Sequence, residues 1–265
     1  MSNPTYAVSL LTMCLAMTLA PPASAEVRVI GDDDRRSIEA NEVPWVSIGR
    51  INRGDQAFCT GVLIAPDKVL TAAHCLYDVA QGQWAAASAV RFLSGYTDGH
   101  YAEQAAAASY AVAEGYERAR GQEMAFMRLD WAVITLEAPL AVPPTPIWPM
   151  EFGGAVLALE AGSMLQAGYS SDRPHILSVH EDCDLVGVTG GVPLLLHQCD
   201  AVEGDSGSPL LLHHDGRYGV IGLHTARVVS EGIEYGVAIP SEAFAASIRE
   251  WVGPGAVTEP PSAPE

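Results

Sequence analysis

Short apolar stretches, interrupted by glycine, proline or acidic residues, recur along the chain from Glu26 onward. Runs of about four to seven such residues have the length of a β-strand and are shorter than a typical helix. The sequence therefore predicts an all-β fold. The stretches are Trp45 to Ile51, Gly61 to Ile64, Val69 to Ala73, Ala132 to Leu136, Pro209 to Leu212 and Tyr218 to Leu223.

Two segments depart from this pattern. Residues 100–120 are rich in Ala, Glu and Tyr, and the sequence leaves both a helix and a surface loop open for them. After Pro240, apolar residues recur at helical spacing, which predicts a C-terminal helix from Ser241 to Val252. Ser241 is placed to cap this helix and Gly253 to end it.

Clusters of proline divide the chain. Residues 138–150 contain five prolines, so they are predicted to form a linker between two β-rich halves. The N-terminal half is residues 29–137 and the C-terminal half is residues 151–252. Residues 253–265 contain four prolines and are predicted to be a disordered tail.

The amino-terminal region has the pattern of a targeting sequence. Residues 1–25 contain no charged side chain, and the apolar run from Ala7 to Ala20 is too short to span a bilayer. The small residues Ala23, Ser24 and Ala25 follow. We interpret residues 1–25 as a signal peptide and residues 26–28 as a short propeptide. The protein is therefore expected to be secreted or periplasmic, without a membrane span.

The charge balance excludes one class of partner. The 14 Lys and Arg residues against 32 Asp and Glu residues give a formal net charge of −18 at pH 7. Such a surface repels phosphate backbones, which excludes nucleic-acid binding as the main function. The 265 residues are 49% hydrophobic, so the chain has enough apolar material for a folded core. We expect a monomer.

Four cysteines remain once Cys14 leaves with the signal peptide: Cys59, Cys75, Cys183 and Cys199. An even number in an exported chain favours two disulfides. Three pairings are open, and pairing within each half is the simplest. No Cys-x-x-Cys motif occurs, which argues against a metal or redox role for these cysteines.

Three motifs carry groups with chemical activity, in the order histidine, aspartate, serine. They are Thr71-Ala72-Ala73-His74-Cys75, Asp130-Trp131-Ala132-Val133 and Gly204-Asp205-Ser206-Gly207-Ser208-Pro209. Asp130 is preferred as the carboxylate because it leads into an apolar strand, whereas Asp78 and Asp98 lie among loop residues.

These residue types form a nucleophile with its base. A serine hydroxyl attacks efficiently only when a base takes its proton, and an imidazole titrates near neutral pH. His74 would serve Ser206 in this way, with Asp130 fixing the imidazole tautomer. The N–H groups of Gly204 and Ser206 would stabilise a developing oxyanion.

The three motifs resemble those of the chymotrypsin/trypsin-like serine proteases. The stretches Val29 to Arg35, Cys59 to Ile64, His74 to Asp78 and Cys199-Asp200 resemble the bacterial glutamyl-endopeptidase branch. The resemblance implies two six-stranded antiparallel β-barrels, with the active site in the cleft between them and a C-terminal helix. It also implies the disulfides Cys59–Cys75 and Cys183–Cys199.

The resemblance also suggests a zymogen. Cleavage after Arg28 would create a new amino terminus at Val29, which in the trypsin-like family pairs with the aspartate just before the serine, here Asp205. The alternative is a mature chain that begins at Glu26, with Asp205 satisfied by backbone donors.

Two assignments of specificity stay open. Asp200, six residues before Ser206, stands where trypsins hold the aspartate that selects Arg or Lys. His224 and Thr225 resemble the pocket residues that accept a substrate glutamate in the glutamyl branch. The sequence favours glutamate slightly.

The sequence thus predicts an exported serine endopeptidase that acts on protein or peptide substrates and requires no cofactor or metal. The acidic run from Asp32 to Asp34 is interpreted as a solvated turn. The alternative is a catalytically silent, protease-like binding protein.

Overall fold

The computed structural model describes residues 29–54 and 57–260. The predicted signal peptide at 1–25, the propeptide at 26–28 and residues 261–265 of the predicted tail lie outside the described residues. The elements in the described ranges are β1 Arg36–Ile38, β2 Ile48–Asn52, β3 Phe58–Ala65, β4 Lys68–Thr71, β5 Tyr77–Asp78, β6 Gln83–Trp84, β7 Arg91–Ser94, β8 Glu103–Val112, α1 Met124–Met127, β9 Ala132–Leu136, α2 Phe152–Leu159, β10 Ser163–Gly168, β11 Leu177–Glu181, β12 Leu185–Val188, β13 Leu195–His197, β14 Pro209–His214, β15 Arg217–Ser230, β16 Ile233–Pro240 and α3 Glu242–Val252.

The N-terminal half contains a closed antiparallel barrel with the strand order β2-β3-β4-β9-β8-β7. Its core is filled by branched and aromatic side chains that point inward from successive strands. Ile51, Leu63, Val69, Phe92 and Ile134 are each fully buried there. Closure leaves no unpaired strand edge in the ring, so hydrogen bonds within this half fix its shape.

The C-terminal half forms an antiparallel sheet of eight strands, in the order β1-β11-β10-β14-β15-β16-β13-β12. It stands in place of the second six-stranded barrel that the resemblance implied. The chain runs from β11 into β12 through residues 182–184, and these two strands do not pair in the described chain. The disulfide Cys183–Cys199 holds this connection instead. The prediction of a mostly antiparallel β fold with a C-terminal helix is confirmed.

Strand β1 crosses the predicted division between the halves. Residues 36–38 lie in the part assigned to the N-terminal half, yet Arg36 pairs with Val179 and Ile38 with Leu177 on β11. Strand β1 therefore belongs structurally to the C-terminal sheet.

Residues 103–112 form the barrel strand β8, so neither alternative that the sequence left open for them is correct. Ala105 and Ala107 face the barrel core, in the same cluster as Phe92. Alanine favours helices in isolation, but pairing with β7 and β9 places it in a strand here.

The linker and the start of the predicted tail pack together. Ile147 accepts a hydrogen bond from the Thr258 N–H at 3.0 Å and donates to the Ala256 carbonyl at 2.9 Å. Ala256 and Val257 are buried. Residues 253–260 are therefore not a disordered tail, because they cover an apolar part of the linker and complete its hydrogen bonds.

Helix α3 packs beside the Asp130 motif. Its residue Phe244 is fully buried and lies 6.0 Å from the Trp131 ring. Ser241 does not cap the helix through its side chain, since its hydroxyl donates to the Trp148 carbonyl at 2.6 Å and accepts from the Met150 N–H. Among the described residues, every helix falls short of the length and apolarity that crossing a membrane requires.

Candidate active site

Strand pairing in the barrel brings His74 and Asp130 together. Strands β4 and β9 are antiparallel, and Thr71 pairs with Ala132. His74 lies in the 3₁₀ helix Ala73–Leu76 that follows β4, and Asp130 lies just before β9. Both residues therefore stand at the same end of the same strand pair.

Two hydrogen bonds join these residues. The His74 N–H donates to Asp130 Oδ1 at 2.8 Å, and His74 Nδ1 lies 2.6 Å from Asp130 Oδ2. Asp130 fixes the direction of the ring and favours the tautomer with its proton on Nδ1, which leaves Nε2 as a base.

A third donor reaches the same carboxylate. The Thr225 hydroxyl donates to Asp130 Oδ2 at 2.6 Å, although the sequence placed Thr225 in a substrate pocket. Burial acts to raise the pKa of Asp130, but the attraction of His74 and the hydrogen bonds from His74 and Thr225 outweigh it. The pKa of Asp130 is therefore lowered, and its carboxylate is ionised at neutral pH.

Residues 204–209, called the serine loop below, pack against the barrel next to His74. The Thr60 N–H donates to the Ser206 carbonyl at 3.0 Å, and the Thr60 hydroxyl donates to the Gly204 carbonyl at 3.1 Å. Thr60 follows Cys59, which forms a disulfide with Cys75 beside the histidine. The sequence motifs did not indicate a role for Thr60, whose one signal in the sequence is its place next to Cys59.

Gly207 permits this close approach. Its φ is +82°, and a Cβ there would lie 2.3 Å from the Thr60 carbonyl oxygen and 3.0 Å from the Ala72 nitrogen. Any larger residue would push the serine loop away from the barrel.

The nucleophile and the predicted oxyanion donors keep free hydrogen-bonding groups. In residues 29–54 and 57–260, the Ser206 hydroxyl and the N–H groups of Gly204 and Ser206 have no protein partner. Ser206 is partly exposed. These groups are therefore available to a substrate, and catalytic hydrogen bonds are often long before substrate binds.

Asp205 is buried under the serine loop. Its carboxylate accepts from the Ser170 hydroxyl at 2.9 Å and from the Val202 N–H at 2.8 Å. Burial raises the pKa of Asp205 to about 7. Val29 lines a cavity bounded by residues 182–184 and 232–234. Asp205 is thus hydrogen-bonded by one side-chain and one backbone donor of the described chain, and its pairing with a new amino terminus at Val29 stays a prediction.

Asp200 contacts the N-terminal segment, which is residues 29–35 before β1. It is 2% exposed, and its Oδ2 accepts from the Asp34 N–H at 2.8 Å and lies 3.1 Å from His180 Nδ1. This arrangement differs from an open pocket for Arg or Lys, because the carboxylate already has partners from the protein.

His224 is paired with a second histidine that sequence analysis missed. His224 Nδ1 lies 3.1 Å from His197 Nε2, and His197 Nδ1 accepts from the Cys199 N–H at 3.2 Å. His197 Nε2 therefore carries the proton and donates to His224, which leaves a proton on His224 Nε2. Burial lowers the pKa of His197 to about 3 and holds that of His224 well below its usual value, so both rings are neutral. No local motif marks this contact, because it arises from the pairing of β13 and β15 with β16.

Strand β15 offers an open edge beside the serine loop. It pairs with β14 as far as Leu223, and residues 224–230 pair on one side with β16. His224 donates its N–H to Ser208 and accepts from Gly207. Within the described chain, Thr225 and Ala226 thus have no strand paired with them on the side opposite β16, and an extended peptide can bind there.

Comparisons with known proteins agree with this geometry. A family model described as Trypsin matches residues 33–248. The fold is similar to that of a Glu endopeptidase solved in complex with MPD, with a TM-score of 0.68 and 24% sequence identity over 85% of this chain and 99% of the other. At that identity the second comparison concerns the fold alone. Curated protein sequences give no match.

Proposed function

The chain belongs to the trypsin family of serine endopeptidases, and we propose that it hydrolyses peptide bonds through an acyl-enzyme on Ser206, with a preference for glutamate before the scissile bond. The predicted family and the predicted enzyme class are confirmed by the match over residues 33–248. The roles of individual residues, the substrate preference and export are proposals.

One observation carries the catalytic proposal: the hydrogen-bonded chain from Thr225 through Asp130 to His74, next to the docked serine loop. With its Nδ1–H held by Asp130, His74 takes the hydroxyl proton through Nε2 as Ser206 attacks the substrate carbonyl. The imidazolium that forms is stabilised by the ionised Asp130.

The oxyanion of the tetrahedral intermediate would accept from the N–H groups of Gly204 and Ser206. His74 then gives its proton to the leaving amine, and the acyl group stays on Ser206. Water enters, loses a proton to His74 and attacks the ester, which releases the acid product and restores the serine.

The glutamate preference is supported by the two histidines. His224 carries its proton on Nε2, so it can donate to a substrate carboxylate while His197 holds its other nitrogen. A carboxylate next to His224 would raise the low pKa of the ring and strengthen the hydrogen bond. Asp200, the residue that would select Arg or Lys, is buried against Asp34 and His180.

Export is supported by the disulfides Cys59–Cys75 and Cys183–Cys199, because such bonds persist in oxidising compartments. Cleavage after Arg28 stays a prediction. Intact mass of the active protein tests it, and a fully active chain that begins at Glu26 would contradict it.

Peptide substrates that differ only in the residue before the scissile bond test the specificity. We expect kcat/KM for Glu to exceed that for Gln, Arg and Lys by about 100-fold or more. A Gln amide accepts only a neutral hydrogen bond from His224, and an Arg or Lys charge would be buried beside it without a partner. His224→Gln should lower kcat/KM for Glu at least about tenfold and change the Gln substrate less. His100→Gln, at an exposed histidine, is the matched control.

If the protein prefers Arg or Lys and loses this preference in Asp200→Asn, the glutamate proposal is wrong. The proposed roles of His74, Asp130 and Ser206 would not be affected by that result. Absence of turnover on every peptide would favour the binding-protein alternative.

A further inference from the structure

One segment of the barrel lies beside Asp130. Residues 113–121, called segment 113–121 below, follow β8, which pairs with β9. The Ala113 N–H donates to the Trp131 carbonyl at 3.1 Å just beyond this pairing. The segment therefore begins at the same end of the strand pair as Asp130.

Aromatic rings connect segment 113–121 to the chain that follows His74. The hairpin of β5 and β6 comes after His74, and its Tyr77 and Trp84 rings lie 5.4 Å apart. The Trp84 ring lies 6.3 Å from the ring of Tyr116 in segment 113–121. Burial and the negative charge of Asp130 raise the pKa of Tyr116, because its hydroxyl lies beside that carboxylate. The hairpin and the segment thus form one surface next to the catalytic pair.

Arg118 lies within this surface. It begins the 3₁₀ helix Arg118–Arg120, and its guanidinium carbon is 5.9 Å from the centre of the Tyr77 ring. A Cβ on Gly121 would lie 3.7 Å from Arg118 Nη1 and 3.2 Å from Tyr116 Oη, so the guanidinium and the phenol are neighbours. Arg118 therefore stands on the same side of the site as Asp130.

The charge of Arg118 has no carboxylate partner. Among residues 29–54 and 57–260, no acid forms an ion pair with Arg118, and its Nε is buried without a hydrogen-bond acceptor. Arg120, in the same 3₁₀ helix, pairs with Glu123 at 2.9 Å, and Arg35 and Arg173 also pair with aspartates. The chain has 32 Asp and Glu residues against 14 Lys and Arg residues, so acids to neutralise Arg118 are plentiful. Its guanidinium is instead available to an acid from outside the chain.

A peptide at the open edge of β15 would direct one side chain toward Arg118. On this strand His224 contacts His197 within the sheet, whereas the Thr225 side chain contacts Asp130. Successive side chains of an extended peptide point to opposite faces. When the substrate glutamate faces His224, the residue before it therefore faces the side of Asp130, where Arg118 lies.

We propose that Arg118 is a specificity-determining residue, which binds an acidic side chain at the substrate residue that precedes the cleaved glutamate. A guanidinium presents its N–H donors in a fork that matches a carboxylate, and Arg118 is half-buried, so water screens it less than an exposed cation. This role rests on the proposed peptide hydrolysis but not on the choice of glutamate at the scissile bond.

Peptides that differ only in the residue before the glutamate test the role. This residue is Asp, the isosteric Asn or Lys, and Glu is left out because it offers a second cleavage site. We expect kcat/KM for Asp to exceed that for Asn by about three- to tenfold at low ionic strength, and the ratio to shrink as salt is added. The Lys peptide should be the slowest. If the protein prefers another residue at the scissile bond, that residue replaces glutamate in the series.

Variants of two neighbouring arginines identify the cation. Arg118→Gln should bring the ratio of Asp to Asn close to one and change the Asn peptide less, and Arg118→Lys should keep part of the ratio. Arg120→Gln, at an exposed arginine already paired with Glu123, is the matched control and should keep the ratio of the parent. A ratio near one in the parent, or a ratio that survives Arg118→Gln, would overturn the role.

The position of the acid is a second control. Moving Asp one residue further from the scissile bond turns it to the opposite face, and an equal gain there would overturn the role in favour of general attraction. Fluorescence anisotropy of the same peptides with Ser206→Ala gives a readout that does not need turnover. Tighter binding of the Asp peptide that depends on Arg118 would support the site even if no peptide were hydrolysed, and equal affinities would overturn it.

Discussion

The two halves of the molecule hold their catalytic groups in different ways. The N-terminal half is a closed barrel, and its own β4–β9 pairing sets His74 against Asp130. The C-terminal half is an open sheet, and its serine loop is held by residues from elsewhere, such as Thr60 of the barrel. Pairing within the barrel sets the base against its carboxylate, with one further hydrogen bond from Thr225 of the sheet, whereas the serine loop depends on contacts with the barrel.

Much of that support comes from the N-terminal segment. Arg35 is buried and forms ion pairs with Asp33 at 2.9 Å and with Asp172 at 2.8 Å, in the loop that also contains Ser170, the donor to Asp205. Burial acts to lower the pKa of Arg35, but the hydrogen bonds and charges of the two aspartates outweigh it and raise the pKa. The segment therefore ties β1 and the loop before the serine into one unit.

The largest expected effect is on turnover when either half loses its catalytic group. His74→Ala and Ser206→Ala should each lower kcat by about 10⁶-fold, and the double variant should fall no further, because the two residues act as one unit. Steady-state kinetics on a glutamyl peptide measures this. A double variant much slower than both single variants would show that the two halves act independently.

The next effect is on stability through the N-terminal segment. Arg35→Ala should cost about 2–3 kcal/mol in the free energy of unfolding, because it removes a buried side chain together with its charge-assisted hydrogen bonds to Asp33 and Asp172. Arg36→Ala removes an exposed ion pair with Glu181 and should cost about 0–1 kcal/mol. Urea denaturation in the Ser206→Ala background measures both. Similar losses would contradict a special role for the buried segment.

The two disulfides allow a direct comparison of the halves, because each half has one and each links cysteines 16 residues apart. Replacing either pair with serine should cost about 3 kcal/mol of stability by the loop-closure argument. Only loss of Cys59–Cys75 should also lower kcat severalfold, because Cys75 adjoins His74. Denaturation and kinetics on both double variants test this, and equal kcat values would show that barrel closure alone fixes the histidine.

The last effect appears only when the pH is changed. Burial raises the pKa of Asp205 to about 7, so the folded state holds this proton more tightly than the unfolded state. The protonated Asp205 contributes fully to stability below about pH 4, and this contribution is lost as the pH rises through about 7. The Tm of the protein should therefore fall relative to that of Asp205→Asn between pH 4 and 7.

Asp215→Asn, at a residue whose side chain is 84% exposed, is the control and should show no such trend. A constant difference in Tm between the protein and Asp205→Asn across this range would contradict the raised pKa.

The sequence predicted the β architecture and the family because strand-length apolar runs and local motifs are encoded within a few residues. It did not predict strand β8, where pairing overrides the helical preference of alanine, or the packing of residues 253–260 on the linker. The same limit applies to the site. His74, Asp130 and Ser206 stand in recognisable motifs, but the contact of Thr225 with Asp130 and of His197 with His224 depends on strand register, which no local motif reports.

Labelling with a fluorophosphonate, followed by mass mapping of the adduct, tests the central claim most directly. The account predicts a single adduct on Ser206 that is absent from Ser206→Ala and strongly reduced in His74→Ala, because only an activated serine attacks the probe at a useful rate. Folded protein that gains no adduct on Ser206, or that labels equally well without His74, would contradict a nucleophile assembled from the two halves.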